Sequence, residues 1–251
     1  MAKQTGVVRI SGKVGNLTFA QSPNGDEVRL NTSLTGEQMR TERRFKRTRE
    51  NWNEFSKAGN SAKLIRDAFA SITKPLTDRL AYPRLFRETL KVVKSDPTSA
   101  RGQRLFHLGD LNHLLNYDFN VQQPMSRSFR VPYTVAIDRA GGTANIVIPD
   151  FVPEGNVAIS QGATHFKVVA AVAEIDWLEK DHINSLTESI PMVESESAIP
   201  GVSLDLTFDA NTTKTIMVAL GLWYYQEVNG VFYQLADGSR NAMALVGIDH
   251  V

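Results

Sequence analysis

Few titratable side chains in this chain are spaced to converge on a reacting group. His107, Asp110 and His113 come nearest to a metal-binding set, because a divalent cation takes imidazole and carboxylate donors that share one face of an element. A helical rotation of about 100° per residue puts His107 and Asp110 together. It turns His113, six residues on, about 120° away, so the three cannot converge without a break. Asp181-His182 and Asp249-His250 are adjacent pairs, and neighbours along an extended strand point to opposite faces. Neither pair reads as a catalytic dyad. Glu188, Glu194 and Glu196, in TESIPMVESES, offer carboxylates of the kind used for acid–base work or for a hard cation. The interleaved Ser and Pro read instead as a solvated acidic loop. Its functional alternative is an acidic contact for the arginines of a neighbouring copy.

The chain has no cysteine, which excludes disulfides, thiolate metal sites and a cysteine nucleophile. No phosphate loop, dinucleotide glycine motif, zinc-protease helix or serine-hydrolase elbow occurs. The residues therefore point to a non-enzymatic protein with no catalytic, metal or cofactor site.

Charge carries more information. Arg40, Arg43, Arg44 and Arg47 fall at i, i+3, i+4 and i+7, with Lys46 and Arg49 beside them, the spacing of a basic stripe on one helix. Residues 1–130 hold 23 Lys and Arg against 12 Asp and Glu, a net of +11. Residues 131–251 hold 5 against 15, a net of −10. Opposite halves of this kind have three physical readings. They neutralise each other within one chain, they meet head to tail between copies, or the basic half binds nucleic acid.

The elements that must carry these groups follow from periodicity. Val8, Ile10, Leu17, Phe19, Val28 and Leu30 alternate with polar residues, and turn signals stand at Lys13–Asn16 and Pro23–Asp26, so a terminal β-hairpin or meander is expected. Thr35-Gly36-Glu37-Gln38 has the capping-box form and should start a helix. Phe45, Thr48, Trp52, Phe55, Gly59 and Ala62 recur at spacings of three and four, continued by Ile65, Phe69 and Ile72. That face is expected to be core, with a possible interruption at Gly59-Asn60. A second helix is expected after Lys74-Pro75, kinked or restarted at Pro83 and ended by Asp96-Pro97. A short helix is expected between Gln103 and Leu115. Beyond Tyr117 the period becomes two. Strands are expected at 133–137, 145–148, 157–159, 165–175, 202–208, 215–228, 231–235 and 242–248, with Gly141-Gly142 and Asn229-Gly230 as tight turns. Trp223, Tyr224 and Tyr225 on one of them are expected to divide between a core face and its flank.

Several motifs are similar, taken together, to a family of uncharacterised proteins abundant in Bacteroidota. They are Gly12–Phe19, Phe45 with Arg47–Asn51 and Glu54-Phe55, Thr98–Gly102, Gly162–Phe166 and Tyr225–Val231. The resemblance spans nearly the whole chain and implies no activity, cofactor or site residue. The run 181–200 has no counterpart in it.

The expected architecture is α+β: residues 1–125 a basic domain of β-hairpin and small helical bundle, residues 126–251 an acidic, Ig-like antiparallel β-sandwich. The N-terminus shows no apolar signal region, and no run approaches the ~18 apolar residues of a membrane span, so a cytoplasmic protein is expected. A terminal hairpin is not stable alone and sheet edges must be paired or covered. With the opposed charges, these features lead to a structural protein that self-assembles head to tail, into a filament, tube or phage-tail-like particle, through Arg40, Arg43, Arg44 and Arg47 on one side and Glu188, Glu194 and Glu196 on the other. The alternatives are a nucleic-acid-binding protein using the basic helix and a carbohydrate-binding or adhesive sandwich.

Overall fold

A computed structural model of the chain describes residues 2–4, 10–22, 25–30, 34–74, 76, 78–235 and 238–251. The expected strand residue Val8, the turn residues Pro23-Asn24 and the helix-starting Pro75 lie outside these. The chain divides into two compact units, residues 1–49 and 50–251.

In the first unit the alternating apolar residues form a four-stranded antiparallel sheet of β1 (Ala2–Lys3), β2 (Gly12–Val14), β3 (Leu17–Ser22) and β4 (Gly25–Leu30), in the order β1-β4-β3-β2. Phe19 pairs with Val28 and Leu17 with Leu30 across the ladder. Gly15, at φ +57°, makes the β2–β3 turn. A helix α1 (Gly36–Thr41) follows, and its N-terminus is the expected capping box. Thr35 Oγ1 accepts from Gln38 N–H at 3.2 Å and Gln38 Oε1 accepts from Thr35 N–H at 2.9 Å. Among the residues of this unit whose exposure is described, none is buried.

The second unit is built on a six-stranded antiparallel sheet. Two long strands lie at its centre, β7 (His165–Asp176) and β11 (Thr215–Val228). Along the other edge of β7 run β8 (Asp181–Glu188) and β9 (Met192–Val193). Along the other edge of β11 run β12 (Val231–Gln234) and β13 (Ala242–Asp249). A separate three-stranded sheet has the order β10 (Val202–Thr207), β6 (Thr143–Ile148), β5 (Thr134–Asp138).

The central strands are near-continuous apolar runs because both of their faces are buried. On β7, Phe166, Val168, Ala170 and Val172 enter a core shared with Ile146 and Ile148 of β6 and Leu204 and Leu206 of β10. The alternate residues, Val169, Ala171, Ala173 and Ile175, enter a second core with Ala58, Ala62, Ile65, Leu85 and Val92 from the helices α2 (Lys46–Ala68) and α4 (Ala81–Ser95). Strand β11 divides likewise, with Leu220, Leu222 and Tyr224 on one side and Met217, Ala219, Trp223 and Tyr225 on the other. All three consecutive aromatics are buried, Tyr224 in one core and Trp223 and Tyr225 in the other, where a core face and a less buried flank were expected. Each Val, Leu, Ile, Phe or Met side chain buried this way contributes roughly 1.5–3 kcal/mol, and each alanine methyl less.

The α+β class stands. The helices do not form a bundle of their own: they cover one face of the six-stranded sheet while the three-stranded sheet covers the other. Residues 125 and 126, where a domain boundary was expected, fall inside the second unit, in the helix α5 (Met125–Ser128). Helix α2 runs through Gly59-Asn60 without interruption. A methyl group at Gly59 would meet Phe86 of α4 at 3.6 Å, and Tyr82 Oη–H donates to Gly59 O at 3.3 Å. Pro83 sits in the first turn of α4, where a missing N–H is tolerated. Among the described residues no helix is long and apolar enough to cross a membrane.

Candidate interaction surface

The basic stripe is not one helical face. Arg40 lies in the last turn of α1, Glu42 caps it in extended conformation (φ −70°, ψ 140°), Arg43 and Arg44 occupy a 3₁₀ turn, and Arg47 lies in the first turn of α2. The four-residue register on which the stripe depended is broken at Glu42. That residue also binds Arg44, whose Nε lies 2.5 Å from Glu42 Oε2, and its carbonyl accepts from Arg49 Nη1 at 2.8 Å. Arg40, Arg43, Arg44 and Arg47 are nonetheless all exposed, so they form a basic surface without the spacing of a helix stripe.

Of the apolar face expected to be core, the later part, Ala62, Ile65, Phe69 and Ile72, is buried, and the earlier aromatic part is not. Trp52 is 44 % exposed and Phe55 47 % exposed, although Phe55 stacks on Phe86 with ring centroids 5.7 Å apart. The buried positions of α2 are Glu54, Ala58, Ser61, Ala62, Ile65 and Ala68, so the expected face is covered from Ala62 on, and before it the cover falls on Glu54 and Ala58.

Glu188, Glu194 and Glu196 are exposed and belong to the second unit. Glu188 ends β8, where Lys167 Nζ donates to it at 3.0 Å. Glu194 and Glu196 follow β9, beside the same edge of β7. With the unit boundary after Arg49, the charge divides less sharply than between the halves of the sequence, though with the same signs. Residues 1–49 hold ten Lys and Arg against four Asp and Glu, a net of +6. Residues 50–251 hold 18 against 23, a net of −5.

The histidines take structural roles. His107 and His113 lie on separate 3₁₀ turns, and Asp110 caps the second by accepting from Asn112 N–H at 3.0 Å. Asp181 Oδ1 accepts from His182 N–H, and Asp249 binds Arg139 Nε at 2.8 Å rather than His250. Among the described residues no group of three or more His, Asp or Glu could hold a metal ion.

His250 instead ends a chain of hydrogen bonds that no local spacing could show. Its Nε2 lies 2.6 Å from the carbonyl oxygen of His107, to which it donates. Its Nδ1 then accepts from Thr215 Oγ1 at 2.8 Å, and Thr215 Oγ1 accepts from Trp177 Nε1–H at 2.6 Å. Thr215 is 1 % exposed, so its hydroxyl is held as a link and is not presented to a substrate. Burial, and then the neighbouring His250, push the His107 imidazole below its ordinary pKa.

The runs 47–55 and 98–102 meet in the fold. Burial favours the neutral acid at Asp96, yet Leu105 N–H (2.9 Å), Ser99 N–H (3.1 Å), Thr98 N–H (2.8 Å) and Thr98 Oγ1–H (2.8 Å) all donate to it. They hold its carboxyl far below the usual range. The turn so formed lies on α2. Gly102 N–H donates to the buried Glu54 Oε1 at 2.8 Å, Arg101 Nη2–H to Asn51 Oδ1 at 2.9 Å and Lys57 Nζ–H to Gln103 O at 2.6 Å. The pairing of 50–57 with 96–105 is a clasp between a helix and a loop, held by these polar groups.

No family model, curated protein or solved structure matches the chain.

Proposed function

We propose that this is a non-enzymatic, cytoplasmic structural protein that self-assembles head to tail, the basic first unit of one copy meeting the acidic second unit of the next. The observation that carries this reading is the first unit itself. It is a four-stranded sheet with a net charge of +6 and, among the residues whose exposure is described, no buried side chain. A sheet without a buried face has little to offset the entropy of ordering it. Contact with an oppositely charged surface of another copy supplies that burial. A heterologous contact of this form propagates into a ring or filament, and the two apposed sheets of the second unit, read as a sandwich, form its rigid body.

Light scattering and electron microscopy of the purified chain at near-physiological salt test the reading. Oligomers or filaments that dissociate as salt is raised are expected, and a strict monomer at high concentration overturns it. The exposed arginines support nucleic-acid binding as a second reading. It requires binding at low salt that is lost when Arg40, Arg43, Arg44 and Arg47 become glutamine.

A further inference from the structure

The second unit is acidic as a whole, yet one cleft in it is lined by cations and by no carboxylate. It measures about 280 Å³ and lies between helix α2, residues 105–107 and the turn 177–180 that joins β7 to β8. Lys57 and Lys180 stand on its walls with the hydroxyl-bearing Ser61, and Phe106, Trp177 and Leu178 make much of its apolar lining. All of these belong to the second unit. Glu179 and Asp181 flank Lys180 in the chain but do not line the cleft. His107 does line it, and because its imidazole is held below the ordinary pKa it is mostly neutral near pH 7. The charge of the cleft is then that of the two lysines.

Ser61 points to what the cleft does. It is 8 % exposed, sits in the body of α2 and makes no hydrogen bond among the described residues. A serine or threonine inside a helix can turn back onto a carbonyl of the preceding turn, as Thr89 and Ser95 do in α4 at 2.9 and 2.7 Å. The Ser61 hydroxyl instead keeps its full bonding capacity on a wall of the cleft. The lysines keep capacity as well. Lys57 Nζ donates to Gln103 O at 2.6 Å, which leaves two of the three donors of an ammonium group. Lys180 has no ion pair or hydrogen bond among the described residues.

The apolar side is fixed in place by the fold. Trp177 Nε1–H is committed to Thr215 Oγ1 at 2.6 Å, and the indole rests on Phe106 with ring centroids 4.4 Å apart and planes at 51°. Leu178 beside it is 75 % exposed, an apolar side chain that an occupant would cover. A fixed indole favours a flat aromatic partner, stacked or edge-on. The volume lies just below the roughly 300 Å³ at which small-molecule clefts begin, so it suits an occupant of one or two rings.

We infer that this cleft binds a small aromatic carboxylate, its ring against Trp177 and its carboxylate taken by the Lys57 and Lys180 ammonium groups and the Ser61 hydroxyl. This stands apart from the self-assembly proposed above.

Isothermal titration calorimetry of the full chain with 1-naphthoate tests it, with 1-naphthamide as the uncharged counterpart. Saturable binding of one naphthoate per chain is expected, with a Kd on the order of 0.1–1 mM, and the amide should bind about tenfold more weakly or worse. Ser61→Ala removes a hydroxyl that holds nothing in the fold, so Tm should not fall while Kd rises about threefold or more. Lys180→Gln, at an exposed position, should raise Kd about threefold and reduce its dependence on salt. No saturable binding at about 10 mM naphthoate, or equal affinity for acid and amide, overturns the inference. Binding that both variants leave unchanged also overturns it, because the probe would then sit elsewhere.

Discussion

Replacing Asp96 with alanine removes the acceptor on which four donors converge. Asp96 is 3 % exposed, and hydrogen bonds to a charged group contribute about 1.5–3 kcal/mol each. They do not simply add. Thr98 is exposed, so water can replace the carboxylate for its two donors. The Ser99 and Leu105 N–H groups lie deeper and lose most of their bonding energy. Two lost charge-assisted bonds give a destabilisation of about 3–5 kcal/mol. For a chain of this size that lowers Tm by about 10 °C. Asp96→Asn keeps one acceptor oxygen and sets an amide donor against one of the N–H groups, so it should cost about half as much. Urea and thermal unfolding followed by tryptophan fluorescence measure both. A loss below about 1 kcal/mol in Asp96→Ala would show that the loop 96–105 does not depend on this carboxylate, and the reading of the two motifs as a clasp would be wrong.

Other consequences can be checked with similar ease. Gly59→Ala places its methyl group 3.6 Å from Phe86, an ordinary contact, and should stabilise helix α2 by about 0.5–1 kcal/mol. Gly102→Ala should do the reverse, since its φ is +86° and a Cβ would stand 2.9 Å from the Glu50 backbone; a loss above about 2 kcal/mol in denaturant midpoint is expected. Leu85→Ala opens a cavity in the helix-side core and should cost about 2–5 kcal/mol. His107 has a folded-state pKa below its ordinary 6.5, so the unfolded chain takes up its proton first as pH falls. The stability it contributes is therefore full above 6.5 and is lost below it. Urea midpoints at pH 7.5 and pH 5 should differ less in His107→Gln than in the native chain.

What could be read from residue order was whatever depends on neighbours in the chain. The capping box at Thr35–Gln38, the Asn229-Gly230 turn and the strand character of 165–175 and 215–228 are all local. Spacing also finds the helical period of 45–72, but it cannot say which of two adjacent faces is covered. Ala62, Ile65, Phe69 and Ile72 of that face are core, but Trp52 and Phe55 lost the core to Glu54 and the smaller Ala58, because α4 and the sheet approach α2 on that side. The arginine register failed at Glu42, whose extended backbone ends one helix before the next begins. Continuous apolar strands could have announced a sheet buried on both faces, and therefore helices packed on that sheet instead of beside one another. The link from Trp177 through Thr215 to His250 joins residues at least 35 positions apart and leaves no trace in the sequence.

The position of β7 and β11 has one more consequence. Each is laddered along both edges through most of its length and packed on both faces, so no partial opening exposes their middle amides to water. Val168–Ala173 and Val218–Leu222 should exchange their amide hydrogens only when the whole second unit unfolds. The slowest-exchanging amides then give the unfolding free energy of the second unit directly, in native buffer.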